Sequence, residues 1–470
     1  MLDITTAPVR AHPRDLFGQP RALAWLSATI FWEAFARFGT QALLVLYMVN
    51  ALFRPDRIAG VGGLGTTRAG IESVTGAISN QAFAVQLFGL FAGLSFFTPL
   101  IGGWLGDRVL GRTRSAALGG LLIALGQGAL ALDRTFLLAL VLMTLGAGLI
   151  SPNLFAQVGQ LYPGADRRRD DGVQIFYAVY NVGAFAGPLA MGALSAAGLW
   201  HPAFLLGGAG MLIGLLTYAA ARPLLPADPT RATPVVRATH KERGPVALLV
   251  LLVAVSASFW VAQSQVWNVY NLWVEGHVAM RVGGFAVPIP WLQALDAIVP
   301  VAFLPPVLAL WRWQATRGAE PDAITKMAIG CLIFAASMLW LAAATPLFGA
   351  HVPLGWALAF HLIDNTGWLF FTPIAVGLYA RAAPPGLAAI IIGLNTTSAF
   401  VGATISGRMG GLYERWPDSR FWALHAGIVA GGALAFLALR PAVRRMLVRA
   451  DARSEDAIKV SDFFAVTEPT

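Results

Sequence analysis

The chain has 470 residues, of which 57% are hydrophobic and only 12% are charged, and its net charge is +9. Soluble domains carry about 25% charged residues, so this composition excludes most soluble enzymes, nucleic-acid-binding proteins and secreted disulfide scaffolds. Stretches of about 20 apolar residues, enough to cross a bilayer, recur along the chain. The sequence therefore predicts an all-α multi-pass membrane protein.

Twelve apolar segments are predicted as transmembrane helices, and a Pro- and Arg-rich segment typical of a solvated linker follows the sixth. In chain order they are 22–52, 81–105, 115–132, 135–161, 173–198, 203–221, 246–275, 288–311, 325–346, 354–379, 387–407 and 421–439. The predicted domains are a cytoplasmic N-terminal segment (1–21), a six-helix bundle (22–221), a cytoplasmic linker (222–245), a second six-helix bundle (246–440) and a cytoplasmic tail (441–470). This layout resembles the major facilitator fold, in which the solute cavity lies between two halves.

The basic residues predict the orientation. Most of the 33 Lys and Arg residues fall on the side of the two termini in this topology. Lys and Arg accumulate in cytoplasmic loops, so both termini are expected in the cytoplasm and the protein in the inner (plasma) membrane. The expected partners are a small-molecule solute and the bilayer, without nucleic acid, and the expected state is a monomer. The single cysteine, Cys331, excludes an intramolecular disulfide and a cysteine-based metal site; no metal or cofactor is predicted.

A charged loop joins the second and third spans. Asp107 and Arg108 end one helix, and Arg112 begins the next after Gly111. This position and spacing match the signature loop of the major facilitator superfamily. An acid beside arginines at a helix end holds two helices together in one conformation, so these residues are predicted as a conformational latch. The alternative is that the charges only mark the inner membrane interface.

Ionisable side chains inside the spans are costly in lipid and are therefore functional candidates. Glu33 and Arg37 lie four residues apart on the first span, so they share a helix face and can pair. Asp296 lies on the eighth span. His361 and Asp364 share a face of the tenth, where a carboxylate tunes an imidazole to switch near neutral pH. Glu33, His361 and Asp364 are predicted to carry the coupling proton; structural pairing inside the bundle is the alternative.

Three sequence motifs are more specific to one family than the number of predicted helices is. They are Glu33-Ala-Phe-Ala-Arg-Phe-Gly39 on the first span, Phe97-Thr-Pro-Leu-Ile-Gly-Gly-Trp-Leu-Gly-Asp107-Arg108 at the end of the second, and Phe176-Tyr-Ala-Val-Tyr-Asn-Val-Gly183 on the fifth. On these motifs the chain resembles the proton-dependent oligopeptide transporter family, over most of residues 22–410. The resemblance implies secondary active transport of a peptide-like or amino-acid-derived solute by alternating access, coupled to a proton gradient.

Several polar positions that the family uses are changed in this sequence. The Glu-x-x-Glu-Arg motif of the first helix retains only Glu33. The family's lysine on the fourth helix is Ser151, and the arginine that binds a peptide carboxylate is Gln41. The acidic residues expected on the seventh and tenth helices are Ser264 and Trp368. The frame therefore resembles a peptide transporter, whereas the groups for coupling and for recognising peptide ends differ.

The remaining polar residues define a predicted substrate site. In it Arg37 meets a substrate anion and Asp296 meets an amine. Hydrogen bonds and apolar contacts come from Gln41, Asn181, Gln265, Asn268 and Trp368. Two alternatives stay open: a transporter of a non-peptide compound such as a siderophore or drug-like amide, and a non-transporting membrane sensor or scaffold. No ATP-binding loop or catalytic motif is present, so the protein is not expected to be an enzyme.

Overall fold

The computed structural model describes residues 15–162, 166–228, 243–382 and 388–466, and most of them are helical. Helices dominate because backbone groups in lipid must form their hydrogen bonds within the segment. The helices are α1 Arg21–Tyr47, α2 Leu64–Thr75, α3 Asn80–Arg108, α4 Arg112–Ala129, α5 Phe136–Gln160, α6 Arg168–Ala196, α7 Trp200–Ala221, α8 Arg243–Val266, α9 Val269–His277, α10 Pro290–Gln293, α11 Leu295–Ala315, α12 Ala323–Phe348, α13 Leu354–Ala382, α14 Ala388–Gly410 and α15 Asp418–Val466.

Six strands of two residues each lie outside these helices. β1 (Asp15–Leu16) pairs antiparallel with β2 (Gln19–Pro20), and β4 (Arg281–Val282) pairs antiparallel with β5 (Phe285–Ala286). β3 (Val278–Ala279) pairs in parallel with β6 (Val352–Pro353). The β3–β6 pair ties the segment after α9 to the segment before α13.

Within the described residues, nine helical segments are long and apolar enough to cross a membrane. They are Arg21–Leu52, Asn80–Arg108, Asp133–Gln160, Arg168–Ala196, Trp200–Leu224, Val246–Val266, Pro290–Ala315, Ala323–Phe348 and Asp418–Val448. The predicted third, tenth and eleventh spans are also helices (α4, α13 and α14) but fall outside this set. The prediction of an all-α multi-pass membrane protein is confirmed. Most of the predicted linker, the first 14 residues and the last four lie outside the described residues.

Two predicted spans are interrupted in the structure. The seventh divides into α8 and α9 because Asn268 leaves the helical conformation, with φ −116° and ψ −103°. Its side-chain amide donates instead to the carbonyl of Val85 on α3, at 3.0 Å. The eighth span divides at Ala294 into α10, which begins with Pro290, and α11. The predicted last span and tail, by contrast, form the single helix α15.

Most of the larger helix contacts lie either among the N-terminal helices (α1 and α3–α7) or among the C-terminal helices (α8–α15). Among the first, α1 packs against α6 and α7, and α5 packs against α3 and α4. Among the second, α12 packs against α13 and α15, and α8 packs against α14 and α15. The largest contact between the two groups is that of α3 with α14, and smaller ones join α6 to α10 and α11.

The α3–α14 contact depends on glycines. A β-carbon on Gly89 would lie 2.6 Å from the Cα atom of Gly407, and one on Gly93 would lie 3.1 Å from the carbonyl oxygen of Phe400. Small residues allow helix backbones to approach this closely in lipid. The two helices therefore meet backbone to backbone.

Polar contacts between the two groups continue at the end of the bundle where α1 ends, here called the Tyr47 end. Asn50 donates to Glu275 at 2.7 Å, and Ser79 donates to Glu414. At the opposite end, here called the Arg108 end, the described ion pairs stay within one group. These pairs are Arg168 with Asp15 and Asp166, Asp107 with Arg112, Glu320 with Lys326, and Asp322 with Arg440 and Arg444. The named hydrogen bonds between the N-terminal and C-terminal helices thus lie at the Tyr47 end, while apolar contacts such as that of Phe97 with Phe400 continue further along α3 and α14.

A larger side chain in the α3–α14 contact tests whether this contact holds the two groups of helices together at the Tyr47 end. Gly89→Val is expected to separate the helices at the Tyr47 end, since overpacking a tight contact costs about 1–3 kcal/mol. The measurement is cross-linking of Ser79→Cys to Glu414→Cys with a short bifunctional thiol reagent, and Gly89→Val should lower its yield. Gly128→Val is the control, because a β-carbon on Gly128 meets nothing within 4 Å. Equal yields in both variants would contradict the closure.

Candidate substrate and proton site

Helix α1 presents a polar face made by Glu33, Arg37 and Gln41, which follow one another at intervals of four residues. Arg37 Nε lies 2.9 Å from Glu33 Oε1, so the predicted ion pair is formed. The Ser151 hydroxyl donates to the same carboxylate oxygen at 3.1 Å. Glu33 is fully buried, whereas a quarter of the Arg37 side chain is exposed. The carboxylate of Glu33 therefore lies inside the helix packing, whereas the guanidinium of Arg37 lies at the edge of the packing.

Arg37 has further partners on α6. Its Nη2 donates to the hydroxyl of Tyr180 at 2.5 Å, and its guanidinium lies 4.6 Å from the centre of the Phe38 ring. Cations over aromatic faces gain roughly 0.5–2 kcal/mol. Glu33 Oε2, in contrast, has no hydrogen-bond partner among the described residues. The arginine is held from two helices, while half of the carboxylate is left unsatisfied.

Arg37 and Gln41 line one small, partly open cavity. The other lining residues come from three neighbouring helices and are mainly apolar: Phe91, Ala92, Ser95 and Phe96 on α3, Ile123 on α4, and Met143 and Ala147 on α5. Two residues predicted to bind substrate thus share a cavity. The cavity therefore offers a solute the Arg37 cation and the Gln41 amide beside a mainly apolar wall.

A second polar cluster joins α11 to α13. His361 Nδ1 lies 2.8 Å from Asp296 Oδ1, and the Asn365 amide nitrogen lies 2.9 Å from the same oxygen. That nitrogen also lies 2.8 Å from Asp364 Oδ1. His361 is fully buried, Asp364 is 3% exposed and the Asp296 side chain is 13% exposed. We call Asp296, His361, Asp364 and Asn365 the acid–histidine cluster.

The acid–histidine cluster holds two carboxylates and one imidazole in a membrane interior. Within the described part of the chain, no Lys or Arg forms an ion pair with either carboxylate. A buried carboxylate without a counter-charge is costly in a low dielectric, and taking up a proton removes most of that cost. One ligand atom from each ionisable residue lies within 4.8 Å of the others, so the cluster could also ligate a cation.

Gln265 and Asn268, both predicted to contact substrate, are fully buried in this conformation. The Gln265 amide nitrogen lies 2.9 Å from the carbonyl of Ser406 and 3.1 Å from His425 Nε2. Asn268 donates to Val85 on α3. In this conformation both side chains join helices.

Asn181 and Trp368 occupy partly buried positions. The Asn181 side chain donates to the carbonyl of Tyr177, one turn earlier on α6, at 2.8 Å. The Trp368 ring packs against a small apolar cluster that contains Val307 and Phe370. Neither residue belongs to the lining of the cavity beside Arg37.

Two residues of the predicted latch form an ion pair between the end of α3 and the start of α4. Arg112 Nε lies 2.8 Å from Asp107 Oδ1, and Arg108 lies in the same loop and also takes part in an interaction. The start of α4 is held from a third direction, because the backbone N–H of Thr113 donates to Asp228 at 3.3 Å. The latch therefore lies within the N-terminal helices, at the Arg108 end.

Three residues of these clusters were not among the predicted site residues. Tyr180 lies inside the most specific motif, three residues before Gly183, and Asn365 follows Asp364 directly. Ser151 was noted only as a departure from the family. Proximity to a motif or to a charged residue was the available signal, but helix periodicity does not show which side chains meet across helices.

The Glu33–Arg37 pair provides a stability test. Glu33→Gln leaves the partly buried Arg37 without its carboxylate, which is expected to lower stability by about 3 kcal/mol. Adding Arg37→Gln should recover much of this loss, because it removes the uncompensated charge. Melting temperatures in detergent measure both effects. Glu72→Gln is the control: it removes the partner of Arg68 in another four-residue-spaced pair, at the surface, and should change little. A double variant less stable than Glu33→Gln would contradict this account.

Comparisons with known proteins agree with this architecture. The Major Facilitator Superfamily profile matches residues 26–407. The chain is 28% identical to the peptide transporter YePEPT of Yersinia enterocolitica, over 85% of this chain and 89% of that protein. It is 25% identical to a di-/tripeptide transporter of Lactococcus lactis, over 89% of this chain and 95% of that one.

Solved structures extend the comparison to the fold. A crystal structure of the peptide transporter POT in complex with sulfate superposes with a TM-score of 0.81 at 25% identity, covering 93% of this chain and 98% of that one. A POT family transporter in complex with 5-aminolevulinic acid gives a TM-score of 0.78 at 21% identity, covering 92% and 98%. The resemblance to the proton-dependent oligopeptide transporters is confirmed. The chain belongs to the major facilitator superfamily.

Proposed function

We propose that this protein is a proton-coupled secondary transporter of a peptide-like or amino-acid-derived solute. The observation that carries the proposal is the acid–histidine cluster, a buried titratable group on α11 and α13. The cavity beside Arg37 supplies a place for an anionic solute. Relatives named as peptide transporters support the solute class.

The proposed transporter has twelve membrane-spanning helices in two six-helix halves, within 22–221 and 246–440. In the second half, α8 with α9 and α10 with α11 each make one interrupted span. The packing of N-terminal helices among themselves, and of C-terminal helices among themselves, supports this division. The protein is proposed to work as a monomer in the inner membrane, with both termini cytoplasmic.

In that orientation the Tyr47 end faces outward and the Arg108 end faces the cytoplasm. The contacts at the Tyr47 end then close the outer side, so this conformation would release or receive solute on the inside. Opening the outer side requires that α3 separate from α14 and that Asn50 separate from Glu275. The Asp107–Arg112 latch would set the balance between the two conformations from the inner side.

Solute and proton are proposed to couple through competition for Arg37. A solute carboxylate that binds Arg37 weakens its pairing with Glu33. Glu33 is fully buried and one of its oxygens has no hydrogen-bond partner among the described residues, so a weakened pair leaves a buried carboxylate with less compensation. The coupling proton proposed for Glu33 would remove that cost, which links solute binding and the proton on the same helix.

The acid–histidine cluster is proposed to carry the second titration. It stands in for the family's acidic residues on the seventh and tenth helices, which are Ser264 and Trp368 here. Asp296 was predicted to meet a substrate amine, but its contacts with His361 and Asn365 favour a share in the proton. Protonation neutralises one carboxylate and so lowers the cost of moving α11 and α13 against the N-terminal helices.

Neutralising Asp364 tests the proposal. Asp364→Asn is expected to abolish solute accumulation driven by an inward proton gradient, because the residue can no longer take up a proton. Exchange of labelled for unlabelled solute without a gradient should persist, since it requires only the conformational cycle. Proteoliposome uptake with labelled dialanine and related probes measures both.

The matched control is Asp56→Asn, which changes a carboxylate in an exposed surface pair with Arg54. It should accumulate solute like the unaltered protein. Accumulation by Asp364→Asn with an unchanged pH dependence would remove this residue from the proton path.

A further inference from the structure

Among the described residues that line the cavity there is no carboxylate for a solute amine. Three carboxylates lie well inside the membrane-spanning helices: Glu33, Asp296 and Asp364. Glu33 is fully buried against Arg37, and Asp364 is 3% exposed behind Asn365. Asp296 has an exposed edge, but its Oδ1 already lies 2.8 Å from His361 Nδ1 and 2.9 Å from the Asn365 amide nitrogen. A solute ammonium would have to break one of these contacts to find a counter-charge.

The cavity does contain one accessible cation. Arg37 is 25% exposed and is the one Lys or Arg among the described residues that line the cavity. Its guanidinium donates a hydrogen bond to the Tyr180 hydroxyl and lies over the Phe38 ring, and these two contacts hold it at the edge of the cavity. A single carboxylate on a solute can therefore be recognised by charge, and only at this end of the cavity.

The rest of the wall suits an uncharged, partly apolar body. Phe91, Ile123 and Met143 line the cavity and are almost fully buried. Gln41 makes no hydrogen bond to any residue that the structure describes, so its amide is available to a solute amide. These groups offer neither a counter-charge nor a water-rich surface for an ammonium.

We propose that the cavity selects solutes with one anionic end, an amide and an apolar body, and that a free amine is not required. N-acylated amino acids and N-acylated peptides are the chemical class that fits. This inference rests on the proposed function for its site and names the solute class. The physical reason is desolvation: a zwitterionic peptide must bring its ammonium into a low dielectric without a partner, whereas an N-acylated peptide has no such charge.

A binding series on the purified full-length chain tests the inference. The probes are N-acetyl-alanylphenylalanine, free alanylphenylalanine and N-acetyl-alanylphenylalanine amide, and binding is measured by thermal shift in detergent. We expect the first to bind at least as tightly as the second. It should bind about tenfold or more tightly than the third, because the amide cannot form the charged hydrogen bond to Arg37.

Variants of the protein test which residues bind the carboxylate end and the acylated end of the solute. Arg37→Lys should keep the preference for carboxylate over amide, while Glu33→Gln/Arg37→Gln should lose it. Arg54→Gln, an exposed arginine outside the cavity, is the control and should keep all preferences. Asp296→Asn should leave the order of the three probes unchanged.

Two outcomes would overturn the inference. One is free alanylphenylalanine binding about tenfold more tightly than its N-acetyl form, most directly if Asp296→Asn removes that advantage. The other is the absence of binding by every probe. Because binding is measured without a gradient, it is independent of proton coupling. Probes that bind as expected but whose uptake in proteoliposomes ignores a proton gradient would instead overturn the proposed function.

Discussion

The cost of placing a charge inside a bilayer controls the arrangement of this protein's polar residues. Each of the carboxylates within the membrane-spanning helices lies beside a donor: Glu33 beside Arg37 and Ser151, Asp296 beside His361, and Asp364 beside Asn365. Several of these donors come from another helix. The contacts of Glu33 with Ser151 and of Asp296 with His361, which lower the cost of a charge, therefore also join helices.

The charges are divided between two regions with different chemistry. The N-terminal helices carry an arginine at the edge of an apolar cavity, which suits recognition of an anion. The C-terminal helices carry an arginine-free group of two carboxylates and an imidazole, which suits proton uptake. Because both regions lie on helices that must move relative to one another, binding in one region and titration in the other can bias the same equilibrium.

The Tyr47 end shows how such an equilibrium can be balanced. Helices α3 and α14 meet through Gly89 and Gly407, where backbone contact replaces side-chain interlocking. The accompanying polar contacts, such as Asn50 with Glu275, are single hydrogen bonds, each worth about 0.5–1.5 kcal/mol net. The glycine contacts fix how α3 and α14 fit together, whereas the single hydrogen bonds contribute only a small free energy. A small free energy of closure is what a transporter that opens and closes repeatedly requires.

The sequence by itself determined the features that depend on local spacing. Apolar length predicted the membrane-spanning helices, and the four-residue interval predicted that Glu33 and Arg37 share a face, since 3.6 residues complete a turn. The charged loop around Asp107 and Arg112 was also recognisable, because its partners lie five residues apart.

Only the tertiary structure decided which distant residues meet. Asp296 reaches His361 across 65 positions and Arg37 reaches Tyr180 across 143. The burial of Gln265 and the break at Asn268 likewise depend on neighbouring helices. Helix periodicity specifies the direction in which a side chain points around its own axis, but not which helix stands in that direction. That choice comes from the packing of the whole bundle, and here it brings the titratable group of α11 into contact with those of α13.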